Sequence, residues 1–301
     1  MQNSEELLLF LEDKKIEYEE DISMKNLTSF KIGGRVKVLV SPSEIESFAV
    51  VFKFLKKYNI PYFFLGNGSN ILFKDKDFFG VAVSSKNLNK IRILENNIVE
   101  CESGVNLFKL CRFLKTNSLS GMEELFGIPG SLGGAIYMNA GAYGVEIKDL
   151  LLCVCYFDEK ENLVEKETKD LDFFYRYSVF QKTNNFIVSA KMKLRNGKAD
   201  DIEKKMKEIF QKRVEKQPLN FPSAGSVFKR PKGAFAAKLI EETGLKGLRV
   251  GNAMVSEKHC GFIVNLGGAT AEDVETLIEK IIKIVKIEKN VDLEKEIKII
   301  G

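Results

Sequence analysis

The stretch Gly127-Ile-Pro-Gly-Ser-Leu-Gly-Gly-Ala-Ile-Tyr-Met-Asn-Ala-Gly-Ala-Tyr-Gly144 constrains this chain more than any other. Six of its 18 residues are glycine, it carries no charge, and charged segments flank it. Glycine inside an apolar run lowers stability. A folded chain keeps it where φ is positive or where backbone must approach a flat or phosphorylated ligand closely. Ser131, Tyr137, Asn139 and Tyr143 are the polar side chains such a surface offers. The stretch therefore reads either as a ligand-lining segment or as a tightly turned structural element. It is too short and too rich in glycine to cross a membrane.

The rest of the composition narrows the function by exclusion. At 301 residues the chain has room for two or three domains, and 45% apolar with 29% charged residues is ordinary for a soluble globular protein. The net charge of +4 comes from interspersed acids and bases. No stripe suited to a nucleic-acid backbone results, which leaves room for an anionic small-molecule substrate. The five cysteines, at 101, 111, 153, 155 and 260, match no zinc or iron–sulfur spacing and read as buried free thiols of a reducing compartment. The start of the chain has acids where an export signal has bases, and no apolar run is long enough to span a bilayer. A cytoplasmic protein without membrane insertion is expected. With one histidine, His259, histidine-clustered metal chemistry is not available, and no metal site is expected.

Read along the chain, residues 1–25 suggest a short polar helix and an acidic connector. Ser41, Pro42 and Glu44 carry the signals of a helix start, and Ile45, Phe48, Phe52 and Leu55 recur at helical spacing. Pro61–Leu65 predicts a buried strand running into Gly66-Asn-Gly-Ser-Asn70 and then Ile71-Leu-Phe73. Successive N–H groups in such a loop can form an anion-binding nest, to which Ser69 or Asn70 can add side-chain bonds, although a plain turn has the same composition. The order helix, strand, glycine-rich loop differs from the Rossmann fingerprint. Strands are expected at 78–84 and 91–102, the latter with Asn96-Asn97 as its turn, and Asn106 is placed to cap a helix through Leu114. Residues 118–126 suggest a short helix, and strands return at 150–157 and 186–195. Asn196-Gly-Lys-Ala is the best domain boundary. Beyond it the pattern predicts helices at 201–217 and around 234–243, a strand at 261–266, a helix capped by Thr270, and a last strand at 292–300.

Three residues invite chemistry. Arg176 lies between Tyr175 and Tyr177 among further aromatic residues, a setting for snorkelling or for holding an anion. Ser226 follows Ala224 and Gly225, small residues that let backbone approach a ligand, yet most such serines only turn or cap. No histidine stands near it in sequence, and a hydrolase triad is weakly supported. Glu296 sits on the polar side of a strand whose other side carries Val291, Leu293, Ile297 and Ile299. A solvated strand face explains it equally well.

Taken together and in order, these motifs resemble the UDP-N-acetylenolpyruvoylglucosamine reductases. They are Gly66–Asn70, Gly127–Gly134, Met138–Gly144, Tyr175-Arg176, Ala224-Gly-Ser-Val-Phe-Lys-Arg-Pro231 and Glu296–Gly301. The resemblance covers about Thr28 to Gly301. It implies an α+β protein with an FAD-binding fold of the vanillyl-alcohol-oxidase type in two subdomains, 1–65 and 66–197, and a separate α+β substrate-binding domain, 198–301. It implies non-covalent FAD, NADPH as co-substrate, and reduction of an enolpyruvyl ether of UDP-N-acetylglucosamine to UDP-N-acetylmuramate in peptidoglycan precursor synthesis. A monomer is expected, though no residue pattern derives it. Since no extra segment follows Arg176, the chain resembles the short form that lacks a tyrosine-bearing loop.

By the same resemblance Arg176, Ser226 and Glu296 are the catalytic residues. Hydride reaches the terminal carbon of the enolpyruvyl double bond, and charge develops on the carboxylate side. Arg176 would stabilise that charge, Glu296 would orient the carboxylate or a water, and Ser226 would give a proton to the adjacent carbon. Gly66, Asn67, Gly68, Ser69 and Asn70 would hold the FAD pyrophosphate. Ile128, Gly130, Ser131, Gly133, Gly134, Asn139, Ala140 and Gly141 would let the cofactor lie against bare backbone. Tyr175, Arg213, Lys229 and Arg230 are the expected substrate contacts. Two alternatives stay open: an oxidase on the same flavin fold, which often attaches its flavin covalently, and a flavin or nucleotide binder without activity.

Overall fold

The structure, a computed structural model, describes residues 2–301. The chain gathers into two compact units. One runs to Glu20 and takes in Val38–Asn67 and Gly80–Gln211, and the other comprises Asp21–Lys37, Gly68–Phe79 and Lys212–Gly301. These units cut across the linear division expected near residues 65 and 197. Helices and strands mix in both, so the architecture is α+β.

Two sheets lie wholly or mainly in the first unit. In one, the strands run Tyr18–Ser23, Arg35–Val40, Phe78–Ser84, Tyr62–Leu65, and the last two pair in parallel from Tyr62↔Val81 to Leu65↔Ser84. The helix Ile45–Lys57 buries Phe48, Phe52 and Leu55 of the expected stripe together with Val51, and Ile45 is partly buried. Phe52 meets Phe64, Phe157 and Phe186 edge-on, the geometry aromatic quadrupoles prefer. The second sheet is antiparallel in the order Leu163–Glu167, Leu151–Phe157, Phe186–Lys193, Ile98–Glu102, Ile91–Ile93. Its hairpin turns at Asn96 and Asn97, both at φ 57°, the conformation that favours asparagine there. Asn106 caps the helix Leu107–Thr116 by accepting from Phe108 N–H at 2.8 Å.

The second unit is built on the three-stranded sheet Arg249–Val250, Ala253–Val255, Ile263–Asn265. Ala253, Val255 and Ile263 share a core with the helices Ala236–Glu242 and Ala271–Lys289. Thr270 and Asp273 form a reciprocal capping box at the start of the latter helix, as the cap at Thr270 predicts. Two segments distant in sequence complete this core. Phe30, Ile32 and Leu72 are fully buried in it, and Asn265 Nδ2 donates to Phe30 O at 3.1 Å. Lys298–Ile300 pairs in parallel with Ile71–Phe73.

Three local expectations are corrected. The acidic connector is partly a strand, Tyr18–Ser23, with Glu19 and Glu20 exposed; charge of this kind discourages an edge from pairing further. Ser41 does not cap the helix, which starts at Ile45 after Glu44. Its N–H donates to Glu17 O at 2.8 Å and its carbonyl accepts from Asn87 at 2.7 Å, so its backbone is held just beyond the strand that ends at Val40. The last segment forms a ladder only over Lys298–Ile300, preceded by a bridge between Phe228 and Lys295. All five cysteines are free, four of them buried.

Candidate active site

Arg176 stands in the first unit at the tip of a hairpin in which Phe174 pairs with Tyr177. Tyr175 and Arg176 make the turn, and Arg176 has φ 53°. An L-residue held there costs on the order of 1–3 kcal/mol, so the surroundings must hold it. Side-chain amides do so. Gln181 Nε2 donates to Arg176 O at 3.1 Å and to Tyr137 O at 2.9 Å. Asn139 Nδ2 donates to Phe174 O at 2.8 Å and to Glu146 Oε2 at 3.0 Å, while its Oδ1 accepts from Lys148 N–H at 3.3 Å. Each such bond contributes roughly 0.5–1.5 kcal/mol net, so together they offset the strain. The guanidinium donates to Gly141 O at 2.7 Å and lies 4.9 Å from the centre of the Tyr175 ring.

The glycine-rich stretch explains where these amides find their partners. Ser131 caps the short helix Leu132–Met138 by accepting from Gly134 N–H. Asn139 ends the helix in the left-handed conformation at φ 43°, a common helix stop. The helix-end carbonyl of Tyr137 then accepts from both Ser178 Oγ, at 2.7 Å, and Gln181. The same segment meets Gly66 and Asn67. Asn67 Nδ2 donates to Pro129 O at 3.3 Å, and a Cβ on Gly66 would fall 2.6 Å from Ser131 Oγ. Gly133 N–H donates to Ser103 O at 2.8 Å.

Ser226 and Glu296 lie in the second unit, and main chain joins them. Ser226 bridges Phe262, Val227 N–H donates to Gly261 O at 2.9 Å, and Glu296 N–H donates to Val227 O at 2.8 Å. The two residues thus occupy neighbouring extended segments. Gly225 has φ 77°, and a Cβ there would meet nothing within 4 Å, so backbone beside Ser226 is uncovered. Asn70 ties the glycine loop to the same segment. Its Nδ2 donates to Glu296 O at 3.2 Å and its carbonyl accepts from Lys298 N–H at 3.0 Å. Lys229 pairs with Glu294 at 2.6 Å, Arg230 lies 4.5 Å over the Phe235 ring, and Arg213 is buried at 7% exposure. Lys298, which the sequence reading passed over, is held below the usual lysine range by burial and then by Lys229. His259 Nδ1 accepts from Gly261 N–H at 3.2 Å, and burial lowers its pKa. A cleft of about 720 Å³ in this unit is lined by Val214, Phe221, Arg249, Met254 and Lys258 among others, and by none of the residues read from sequence.

The donors of the Gly66–Asn70 loop suit a dinucleotide. Among the described residues, the N–H groups of Gly66, Asn67, Gly68, Ser69 and Asn70 donate to no protein acceptor. A run of unengaged amides is the donor set a pyrophosphate requires. Gly68 is at φ 61°, and a Cβ there would come within 2.1 Å of Leu27 O, so the loop needs glycine at that point. Among the described residues no group of three or more His, Cys, Asp or Glu is arranged to hold a metal ion, and no helix is long and apolar enough to cross a membrane.

Comparison with known proteins assigns the chain to a family. Residues 217–300 match the C-terminal domain of UDP-N-acetylenolpyruvoylglucosamine reductase, and residues 36–165 match an FAD binding domain. The chain is 45% identical to the UDP-N-acetylenolpyruvoylglucosamine reductase of Clostridium novyi, over 95% of this chain and 93% of that one. It is 46% identical to that of Caldanaerobacter subterraneus subsp. tengcongensis, over 92% of each. The crystal structure of the UDP-N-acetylenolpyruvylglucosamine reductase from Thermus caldophilus superposes with a TM-score of 0.81 at 32% identity, covering 95% of this chain and 99% of the other. The fold is therefore α+β with an FAD-binding region of the vanillyl-alcohol-oxidase type, and the chain belongs to the UDP-N-acetylenolpyruvoylglucosamine reductase family.

Proposed function

We propose that this protein uses NADPH to reduce UDP-N-acetylglucosamine enolpyruvate to UDP-N-acetylmuramate, a step in peptidoglycan precursor synthesis. The observation that carries the reading for this chain's own residues is the register that sets Ser226 beside Glu296, through Glu296 N–H and Val227 O. Bound FAD supplies the hydride relay between NADPH and the enolpyruvyl double bond. The unengaged amides of Gly66–Asn70 would hold its pyrophosphate, and within the segment from Ile128 to Gly141 the exposed backbone at Pro129 and Gly134 would lie against it.

Arg176 binds the enolpyruvyl carboxylate and stabilises the charge that develops there, a task suited to a guanidinium's paired donors. Ser226 Oγ–H gives its proton to the carbon next to the carboxylate. Glu296 orients the carboxylate or a water beside it. Tyr175, Arg213, Lys229 and Arg230 are assigned to the substrate, with Arg230 steadied by its stack on Phe235. The reading also takes the enzyme to be monomeric, and to be cytoplasmic in keeping with its free thiols.

The test is a visible spectrum taken without oxygen. Flavin absorbance should bleach with NADPH and return only when the enolpyruvyl nucleotide is added. Protein lacking flavin even after FAD is supplied would overturn the reading. Bleaching with no response to the nucleotide would move the chain to another reaction on the same cofactor.

A further inference from the structure

We propose that Gln181 and Asn139 are positioning residues for Arg176, acting through the main chain of its turn. The inference rests on the reading of Arg176 as the carboxylate-binding group. The two carbonyls that bracket the turn, of Phe174 and Arg176, each accept from one of these side-chain amides, at 2.8 and 3.1 Å. Both amides also bind the end of the glycine-rich segment. Asn139 is its helix stop, and Gln181 donates to Tyr137 O. The segment that gives Arg176 its side-chain acceptor, Gly141 O, is thus the one that fixes its backbone.

This arrangement is over-determined for a surface hairpin of two-residue strands. Ser178 Oγ already joins the hairpin to Tyr137 O at 2.7 Å. What Gln181 and Asn139 add is control of the peptide planes on either side of residues 175–176. Rotation of those planes would swing the guanidinium, whose backbone sits at φ 53°. A displacement of about 1 Å at a reacting group can slow a reaction on the order of 100-fold, so the pair has leverage without touching substrate.

A double-mutant cycle on the FAD-loaded full-length protein tests this. Gln181→Leu, Arg176→Ala and the double variant are each followed through bleaching by NADPH and recovery with the enolpyruvyl nucleotide, and nucleotide affinity is titrated calorimetrically on oxidised protein without NADPH. Gln181→Leu should keep its FAD, bleach at the wild-type rate, and recover roughly 10- to 100-fold more slowly. It should also bind the nucleotide more weakly. In the Arg176→Ala background the same substitution should change neither quantity, since an intermediary has nothing left to position. Effects that multiply, wild-type behaviour of Gln181→Leu, or equal slowing of bleaching and recovery would overturn the inference. If Arg176→Ala itself recovers at the wild-type rate, the reading of Arg176 fails instead. Should Gln181→Leu lose FAD, Gln181→Glu, which keeps the bulk and loses both donors, enters the same cycle.

Discussion

The arginine hairpin and the serine–glutamate segment place chemical groups by opposite means. Arg176 sits on a strained turn whose carbonyls are held by the side chains of Asn139 and Gln181. Ser226 and Glu296 sit in extended backbone, held by main-chain bonds through Phe262, Gly261 and Val227. Main-chain anchoring ignores which side chain is present, so Ser226 or Glu296 can be replaced without moving its neighbours. The hairpin has no such indifference, because side chains outside it hold its carbonyls.

The largest test of the contrast is Ser226→Ala. It should slow flavin recovery with the nucleotide by roughly 10²–10⁴-fold, as loss of a positioned proton donor does, and leave NADPH bleaching and melting temperature unchanged. A large drop in melting temperature would show that Ser226 is structural and break the comparison. Next comes Arg176→Ala, expected to slow recovery by about 10²–10³-fold in single-turnover measurements. A milder variant probes a side-chain bond in the main-chain region. Asn70→Ala removes the bond to Glu296 O and should cost about 1 kcal/mol in chemical denaturation. In protein saturated with FAD, recovery should stay within a few-fold of wild type, because the alanine keeps the loop's N–H and Val227 O still holds Glu296 N–H. A loss as large as that of Arg176→Ala would erase the distinction.

The smallest effect concerns pH. Burial holds His259 below its ordinary value of 6.5, so the folded state keeps it neutral while the unfolded state takes up a proton. Its contribution is complete above pH 6.5 and is lost as pH falls from there toward the depressed folded value. His259→Gln should flatten this part of the plot of melting temperature against pH. An unaltered slope would show that the histidine carries none of the acid sensitivity.

Much of the fold is legible because local rules and tertiary structure agree. Thr270 caps where its spacing says it should, and Asn96-Asn97 turns the hairpin. Leu293 and Ile297 bury together, as their alternation indicates, even though the ladder spans only Lys298–Ile300. Local rules fail where distant backbone competes. Ser41 has every mark of a cap, yet Glu17 and Asn87 hold its backbone just beyond the strand that ends at Val40. Segments 21–37 and 68–79 join Lys212–Gly301 through pairings that no local window contains. At the site, residue chemistry alone left Arg176, Ser226 and Glu296 undecided, and the ordered motifs singled them out. Gln181 gave no signal, because its partners are carbonyl oxygens placed only by folding.

The bond from Asn70 to Glu296 spans 226 residues. At ordinary rates of protein synthesis, that separation amounts to on the order of tens of seconds during which the glycine loop has been made and its partner has not. Leu72 and Phe73, both fully buried in the finished protein, wait through that interval with an unpaired strand edge. The nascent chain is therefore exposed to aggregation through the interval that follows the emergence of Gly66–Asn70. For the same reason, a fragment beginning at Lys212 would lack Phe30, Ile32 and Leu72 from its core, and should be expressed only together with the segments that supply them.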